Sequence, residues 1–328
     1  MNVLVTGGAG YVGSHAVREL VQAGHTVTVL DSLEKGHARA VAGAKLVVGN
    51  TADTELVGSI LATERIECVM HFAAYIEVGE SMEAPARYYA NNTAATGMLL
   101  AACAAEGVER FVFSSTCAVY GQPETVPMRE DAPRQPLSVY GRTKLLSEEM
   151  MEDLAAQTGF RYVALRYFNA SGAHPDGDIG EDHSPESHLI PLILQVALGK
   201  RDAIKIFGND YPTPDGTCQR DYIHVRDLAR AHLHAMDHLA DGGASAAYNV
   251  GTGAPYSVRE MIEICRKVTG HPIPAVEEAR RPGDPPALYA DADAIRRDLG
   301  WTPTESDIES LVASAWRWHQ SHPDGYRG

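Results

Sequence analysis

The chain has 328 residues, 45% of them apolar and 22% charged, a balance that fits one large or two ordinary soluble domains. Its formal net charge of −15 excludes the basic face that a nucleic-acid binder needs and disfavours an anionic membrane surface. No apolar run approaches the length required to span a bilayer, so no membrane partner is expected.

A strand-like run, NVLVTGG, begins at residue 2 and leaves no room for a charged leader and apolar signal core, so residence in the cytoplasm is expected. Ser14 to Ala23 predicts a helix ending at Gly24, and HTVTVLD a second strand. CVMHFAA, RFVFSST and YVALRYF read as further strands, each preceded by a helical stretch. Between the first two of these, residues 82–107 read as one long helix with an apolar face. Short β-branched runs alternating with helices imply βαβ units, hence an α/β fold with a doubly wound parallel (Rossmann) sheet. After Asn169 the texture turns loop-like and rich in Gly, Pro, Asp and His. The expected division is therefore residues 1–170 and a smaller α/β domain over 171–328, with some segments returning to the first. The five cysteines, Cys68, Cys103, Cys117, Cys218 and Cys265, are odd in number and form no C-x-x-C. Reduced, mostly buried thiols are expected.

Three motifs carry chemistry. VTGGAGYVGSH sets Gly7, Gly10 and Gly13 directly after a strand and at the opening of a helix. Glycines there let a pyrophosphate approach the backbone amides, and the helix N-terminus stabilises its charge. Asp31 ends the second strand, where it can accept from the adenosine ribose hydroxyls and repel a 2′-phosphate; this favours NAD over NADP. SVYGRTKLLSEE places Tyr140 and Lys144 four residues apart, on one helix face. An ammonium beside a phenol lowers its pKa, which suits Tyr140 to general-base work. FSSTCAVYG brings the hydroxyls of Ser114, Ser115 and Thr116 to the C-terminal edge of the sheet. His174, His183 and His188 stand near Asp176, Asp178, Glu181 and Asp182. No pair of them has helical ligand spacing and the calcium-loop pattern is missing, so a solvated loop or sugar-nucleotide contact is expected there, and no metal.

The glycine loop, the hydroxyl cluster and Tyr-x-x-x-Lys together resemble the short-chain dehydrogenase/reductase superfamily, in its extended, nucleotide-sugar-modifying branch. LRYFNASGAHPDGDIGED, IFGNDYPTPDGTCQRDYIHV, YNVGTG, RRPGDPP and the closing HPDGY narrow the resemblance to the UDP-galactose 4-epimerase family, along almost the whole chain. The resemblance implies an NAD-binding first domain and a UDP-sugar-binding second domain. It implies that Tyr140 moves the proton of the sugar 4-hydroxyl, that Lys144 tunes Tyr140 and holds the nicotinamide ribose, and that Thr116 hydrogen-bonds the 4-oxygen. Serine is usual at that last position. Gly7, Gly10, Tyr11, Val12, Gly13, Asp31, Ser32, Asn50, Thr51, Phe72, Ala73, Ala74, Asn91, Ser114 and Tyr167 would line the cofactor site with Tyr140 and Lys144. Asn50 stands where aspartate is common, and Ile76 where some members carry lysine. Arg220 and Arg281 would clamp the diphosphate of a UDP-hexose, and Asp284 would bind the uridine ribose. Asn169, His188, Leu189, Phe207, Tyr222 and Val258 would complete the pocket with Thr116. Leu288 falls where a tyrosine confines some members to the unmodified hexose, so the smaller leucine implies room for N-acetylated sugars. The equivalent of the 82–107 helix packs, with the helix of Tyr140, against a second subunit, so a homodimer is expected.

Three alternatives stay open. A 4,6-dehydratase needs an acid beside the hydroxyl position, whereas Thr116 is followed by Cys117 and Ala118. An epimerase of another UDP-sugar, a uronate or a pentose, is the nearer rival. A non-catalytic NAD-sensing protein on the same fold is the third, although it need not keep Tyr140, Lys144 and Thr116 together.

Overall fold

The structure is a computed structural model and describes residues 1–281 and 283–327. β1 (Asn2–Thr6) leads through the glycine loop into α1 (Tyr11–Gln22), followed by β2 (Thr26–Asp31), β3 (Lys45–Val48), α2 (Thr54–Thr63) and β4 (Cys68–His71). Next come α3 (Val78–Glu83), α4 (Pro85–Tyr88), a π-helical turn over Tyr89–Ala94 and α5 (Ala95–Ala105). β5 (Arg110–Thr116), α6 (Val139–Gln157) and β6 (Arg161–Tyr167) complete this half.

The single helix expected over 82–107 is therefore broken twice. Pro85 starts α4, because its ring fits a first turn and not a helix interior. The π turn then faces Asn92 inward, where it accepts from Tyr75 N–H at 2.8 Å and donates to Thr143 Oγ1 at 3.2 Å. Buried polar pairing thus overrides the regular period, as such turns often do near functional sites.

The remaining elements are β7 (Asn169–Ser171), α7 (Leu189–Ala197), β8 (Ile204–Phe207), β9 (Gln219–His224), α8 (Val225–Ala240) and β10 (Ala246–Val250). β11 (Pro255–Ser257), α9 (Val258–Thr269), β12 (Ala275–Glu278), β13 (Ala287–Leu288), α10 (Asp293–Leu299) and α11 (Ile308–Ser321) follow. Seven strands form one parallel sheet in the order β10-β6-β5-β4-β1-β2-β3, the doubly wound arrangement. β7 leaves that sheet to pair with β9, which lies between β11 and β13. α8 and β10 then return to the large sheet, so the chain crosses between the two bodies more than once.

The sheet is covered on both faces, which is why its strands are apolar throughout and do not alternate. Val3 and Val5 of β1 pack toward α1 and α8 with Val17, Leu228 and Ala235. Leu4 between them packs the other way, toward α2 and α5 with Val57 and Leu99. The smaller body has its own core, in which α7, α9 and α11 bring Ile193, Met261 and Leu311 together. Among the described residues no helix is long and apolar enough to cross a membrane.

Candidate active site

The cofactor candidates converge because each follows the C-terminal end of a neighbouring parallel strand. Gly7 follows β1, Asp31 closes β2, Thr51 lies just beyond β3, Phe72, Ala73 and Ala74 follow β4, Ser114 lies in β5 and Tyr167 closes β6. Gly7 has φ +72°, and a Cβ there would stand 2.5 Å from Ala73 N. A Cβ on Gly13 would stand 2.2 Å from Gly7 O. Only glycine lets the loop lie flat against β4 and α1 begin this close behind it. Gly10 caps α1 with no side chain bonded to the first turn, so Tyr11 and Val12 open a helix whose end is free to take an anion. Buried Asp31 holds the loop from below, accepting from Ala9 N–H at 2.9 Å and Leu33 N–H at 2.8 Å. This glycine cradle, uncapped helix end and acid fit a dinucleotide.

The outer candidates are less committed to that site. Ser32 and Asn50 are exposed. Asn50 Oδ1 accepts from Ala52 N–H at 2.8 Å, so the acceptor expected to face adenine is held in a local turn. Tyr11 donates its hydroxyl to Gly172 O at 2.6 Å, tying the glycine loop to the smaller body. Asn91 donates to Asn92 Oδ1 at 3.1 Å, and Ile76 is half-buried beside this turn.

Ser138 caps α6 by accepting from Gly141 N–H at 3.0 Å, which places Tyr140 and Lys144 on consecutive turns, both buried. The Thr116 hydroxyl accepts from Ala118 N–H at 3.1 Å, and Lys144 Nζ donates to Ser114 O at 2.9 Å while lying 4.8 Å from the Phe113 ring centroid. Ser114 Oγ meets Tyr167 OH at 2.9 Å. The expected lowering of the tyrosine pKa is not what this geometry gives. Burial raises the Tyr140 phenol well above its ordinary value, with the Thr116 hydroxyl opposing. Burial also pushes the Lys144 ammonium down to about 7, with Glu148 opposing. Desolvation dominates both shifts because both groups are closed off from water.

That burial has a thermodynamic sign. A lysine whose folded pKa lies below its unfolded value of about 10.4 weakens the fold most below pH 7, and the cost fades as pH rises between the two values. Lys144→Met is therefore expected to lower turnover yet stabilise the ligand-free protein, by roughly 1 kcal/mol at pH 7. The gain should shrink toward pH 10, as read from urea unfolding midpoints.

Beyond Thr116 the chain opens onto a cavity of about 450 Å³. Thr116 is opposite Tyr167 in the sheet register, and Asn169, two residues further on, lines the cavity. His188, Leu189, Phe207, Arg220, Tyr222, Val258, Arg281 and Asp284 line it as well. Arg220 Nη2 pairs with Asp284 Oδ1 at 2.8 Å. Asp221 is not its partner: that carboxylate is buried and accepts from Thr252, Gly253 and Ala290. The Arg281 guanidinium lies 3.9 Å from the Phe207 ring centroid. The field of Arg220 reaches the turn after β5, since it opposes the burial that raises the Cys117 thiol to about 12. Leu288 is not part of this lining; it pairs with Arg220 in the sheet and packs beside Cys117 and Phe168.

Sequence reasoning missed Ser171, Glu186, Arg201 and Lys205, which also line the cavity. Arg201 and Lys205 add positive charge to a pocket in an acidic chain. It also missed the buried network behind Lys144. There Glu148 accepts from Arg166 Nη2 at 2.6 Å and Ser115 Oγ at 2.5 Å, and Tyr120 OH donates to Asn249 at 2.7 Å. The signal was present, since VYG and YNVGTG hold Tyr120 and Asn249.

Residues 3–251 match the NAD dependent epimerase/dehydratase family. The chain is 51% identical over 326 residues to a UDP-glucose 4-epimerase of Halalkalibacterium halodurans, covering 99% of this chain and 98% of that one. A crystal structure of a UDP-glucose 4-epimerase superposes with a TM-score of 0.98 at 46% identity, covering all of both chains. One from Bifidobacterium longum, in complex with NAD+ and UDP, gives 0.94 at 38% identity, over 99% of this chain and 100% of that one. Likeness of this extent, along the whole chain and through every strand of the sheet, means that the chain belongs to the UDP-glucose 4-epimerases, within the NAD dependent epimerase/dehydratase family.

Proposed function

We propose that the chain interconverts UDP-galactose and UDP-glucose by transient oxidation at C4, rotation of the 4-keto sugar within the pocket and reduction from the opposite face. The observation that carries this reading is the burial of Tyr140 and Thr116 together, with Lys144 one turn from Tyr140, beside a cavity that arginines line. NAD, when bound, supplies the hydride acceptor and donor for C4. Tyr140 takes the proton of the 4-hydroxyl and later returns it. Thr116 holds the same oxygen, and its β-branch restricts the hydroxyl to few rotamers. Lys144, held by Ser114 O, would orient the neighbouring ribose. Arg220 and Arg281 bind the diphosphate, offsetting the repulsion of a −15 chain. Deuterium placed at C4 of UDP-galactose tests this path: it should remain at C4 of the UDP-glucose formed, and loss to solvent would contradict internal return.

Arg220→Ala should raise KM for UDP-galactose about 10- to 100-fold with a smaller change in kcat, as loss of a charge-assisted contact requires. By the family resemblance alone, Leu288 in place of tyrosine keeps UDP-N-acetylglucosamine as a second substrate in this reading, although Leu288 packs beside Cys117 and Phe168 outside the cavity lining. Leu288→Tyr should spare UDP-galactose turnover and lower UDP-N-acetylglucosamine turnover ~10-fold or more. Failure of the wild type to turn over the N-acetylated sugar would remove this second activity.

The five cysteines are buried and unpaired, which supports a reducing cytoplasmic setting. Val78 and Met82 of α3 and Met98 of α5 are exposed at 50%, 58% and 42%. They supply an apolar face for a homodimer.

A further inference from the structure

Glu181, His183, Glu186 and His188 lie in the segment between β7 and α7, and each offers an atom within 4.8 Å of the others. This cluster differs from the nearby one of His174, Asp176 and Asp178, whose carboxylates are exposed. Glu181 is 4% exposed, and the Glu186 side chain 6%. His183 Nδ1 lies 3.2 Å from Glu181 Oε1 and 3.9 Å from Glu186 Oε2. His188 Nδ1 lies 2.9 Å from Glu181 Oε1 and 3.1 Å from Glu186 Oε1.

We infer that these four side chains form a site for a divalent cation of the zinc class, distinct from the reaction and independent of the cofactor. Ligand atoms placed tetrahedrally about 2.0–2.2 Å from an ion stand roughly 3.3–3.5 Å apart, and the four measured separations bracket that value. Glu181 Oε1 and His183 Nδ1 are shut off from water, yet neither completes a hydrogen bond. They nevertheless lie 3.2 Å apart, and His188 Nδ1 lies 2.9 Å from the same Glu181 oxygen. Buried polar atoms left in this state are costly unless a partner fills the gap. Glu186 is oriented for the task, since its Oε1 accepts from Ser187 N–H and His188 N–H at 2.8 Å each, the kind of outer bond that fixes a ligand. Two carboxylates and a dication form a neutral set, and mixed imidazole and carboxylate donors suit zinc better than calcium or magnesium. The ion would pin the segment that ends in His188, which caps α7 and lines the substrate cavity. It would fix that segment against Tyr11, whose ring centre is 6.1 Å from that of His183.

The test is a Co2+ titration of untagged, chelator-stripped protein followed by visible absorption. One equivalent should develop the intense bands of a four-coordinate ion, and one equivalent of Zn2+ should erase them. His183→Ala and Glu181→Gln should each bind at least ~10-fold more weakly, while Asp176→Asn should bind as wild type. If one ligand variant fails to fold, the other carries the comparison. A wild-type spectrum showing only the faint bands of hydrated Co2+, or equal affinity in all variants, would overturn the site and leave an internal histidine–carboxylate ion cluster.

Discussion

Tyr140→Phe is expected to lower kcat about 10²- to 10⁴-fold, the usual loss when a positioned acid/base is removed. KM should change little, because Arg220, Arg281 and the other cavity residues proposed to bind the nucleotide are untouched. The fold should also survive. The phenyl ring keeps the packing of a residue that is 8% exposed, and the backbone bond from Tyr140 N–H to Ser81 Oγ at 3.1 Å does not involve the hydroxyl. Thr116 keeps its hydrogen bond from Ala118 N–H at 3.1 Å. A steady-state comparison, with circular dichroism as the check on folding, reads the effect. Retention of more than a tenth of kcat would move the acid/base role elsewhere.

Glu148→Ala is expected to cost about 3–5 kcal/mol of stability, because it strands the charge of a guanidinium that is itself 3% exposed. Arg166 binds that carboxylate through Nε at 3.0 Å and Nη2 at 2.6 Å. Its other contacts, Tyr120 OH at 2.9 Å and Glu130 O at 3.4 Å, carry no negative charge. Replacing both partners by apolar residues should recover much of the loss, so Glu148→Ala with Arg166→Leu should unfold at a higher urea concentration than Glu148→Ala alone. The variant has a second expected effect. Glu148 is the group that opposes the lowering of the Lys144 pKa, so without it less of Lys144 is charged near neutral pH. Activity in the folded fraction should then fall more at pH 8 than at pH 6. A loss under 1 kcal/mol would mean that solvent or the Glu130 carboxylate compensates Arg166.

The parts of the site that read directly from the sequence are those built by local rules. The glycine spacing after a strand, Asp31 closing the next strand and two residues four apart on a helix each place a side chain through neighbouring backbone alone. The doubly wound parallel class followed from the same local pattern, while the strand order came only with the structure. What stayed hidden depends on residues far apart in sequence. Arg220 and Asp284 meet across 64 positions. The reversal of the expected tyrosine shift comes from burial, which a sequence does not report at a polar position. The π turn at Tyr89–Ala94 exists because Asn92 reaches both Tyr75 and Thr143. Nothing in the run of alanines and asparagines announces those partners. The same holds for Arg201 and Lys205: as surface-like cations in sequence they gave no sign that the fold turns them toward a cavity.

The most direct test of the account is conversion of UDP-galactose to UDP-glucose by the purified protein, followed by the anomeric proton signals. Wild type and Tyr140→Phe are compared with and without added NAD. The account predicts conversion by the wild type, dependent on NAD whether resident or added, and its collapse in the variant under both conditions. NAD binding with no conversion of UDP-galactose, or conversion that survives in Tyr140→Phe, would contradict it.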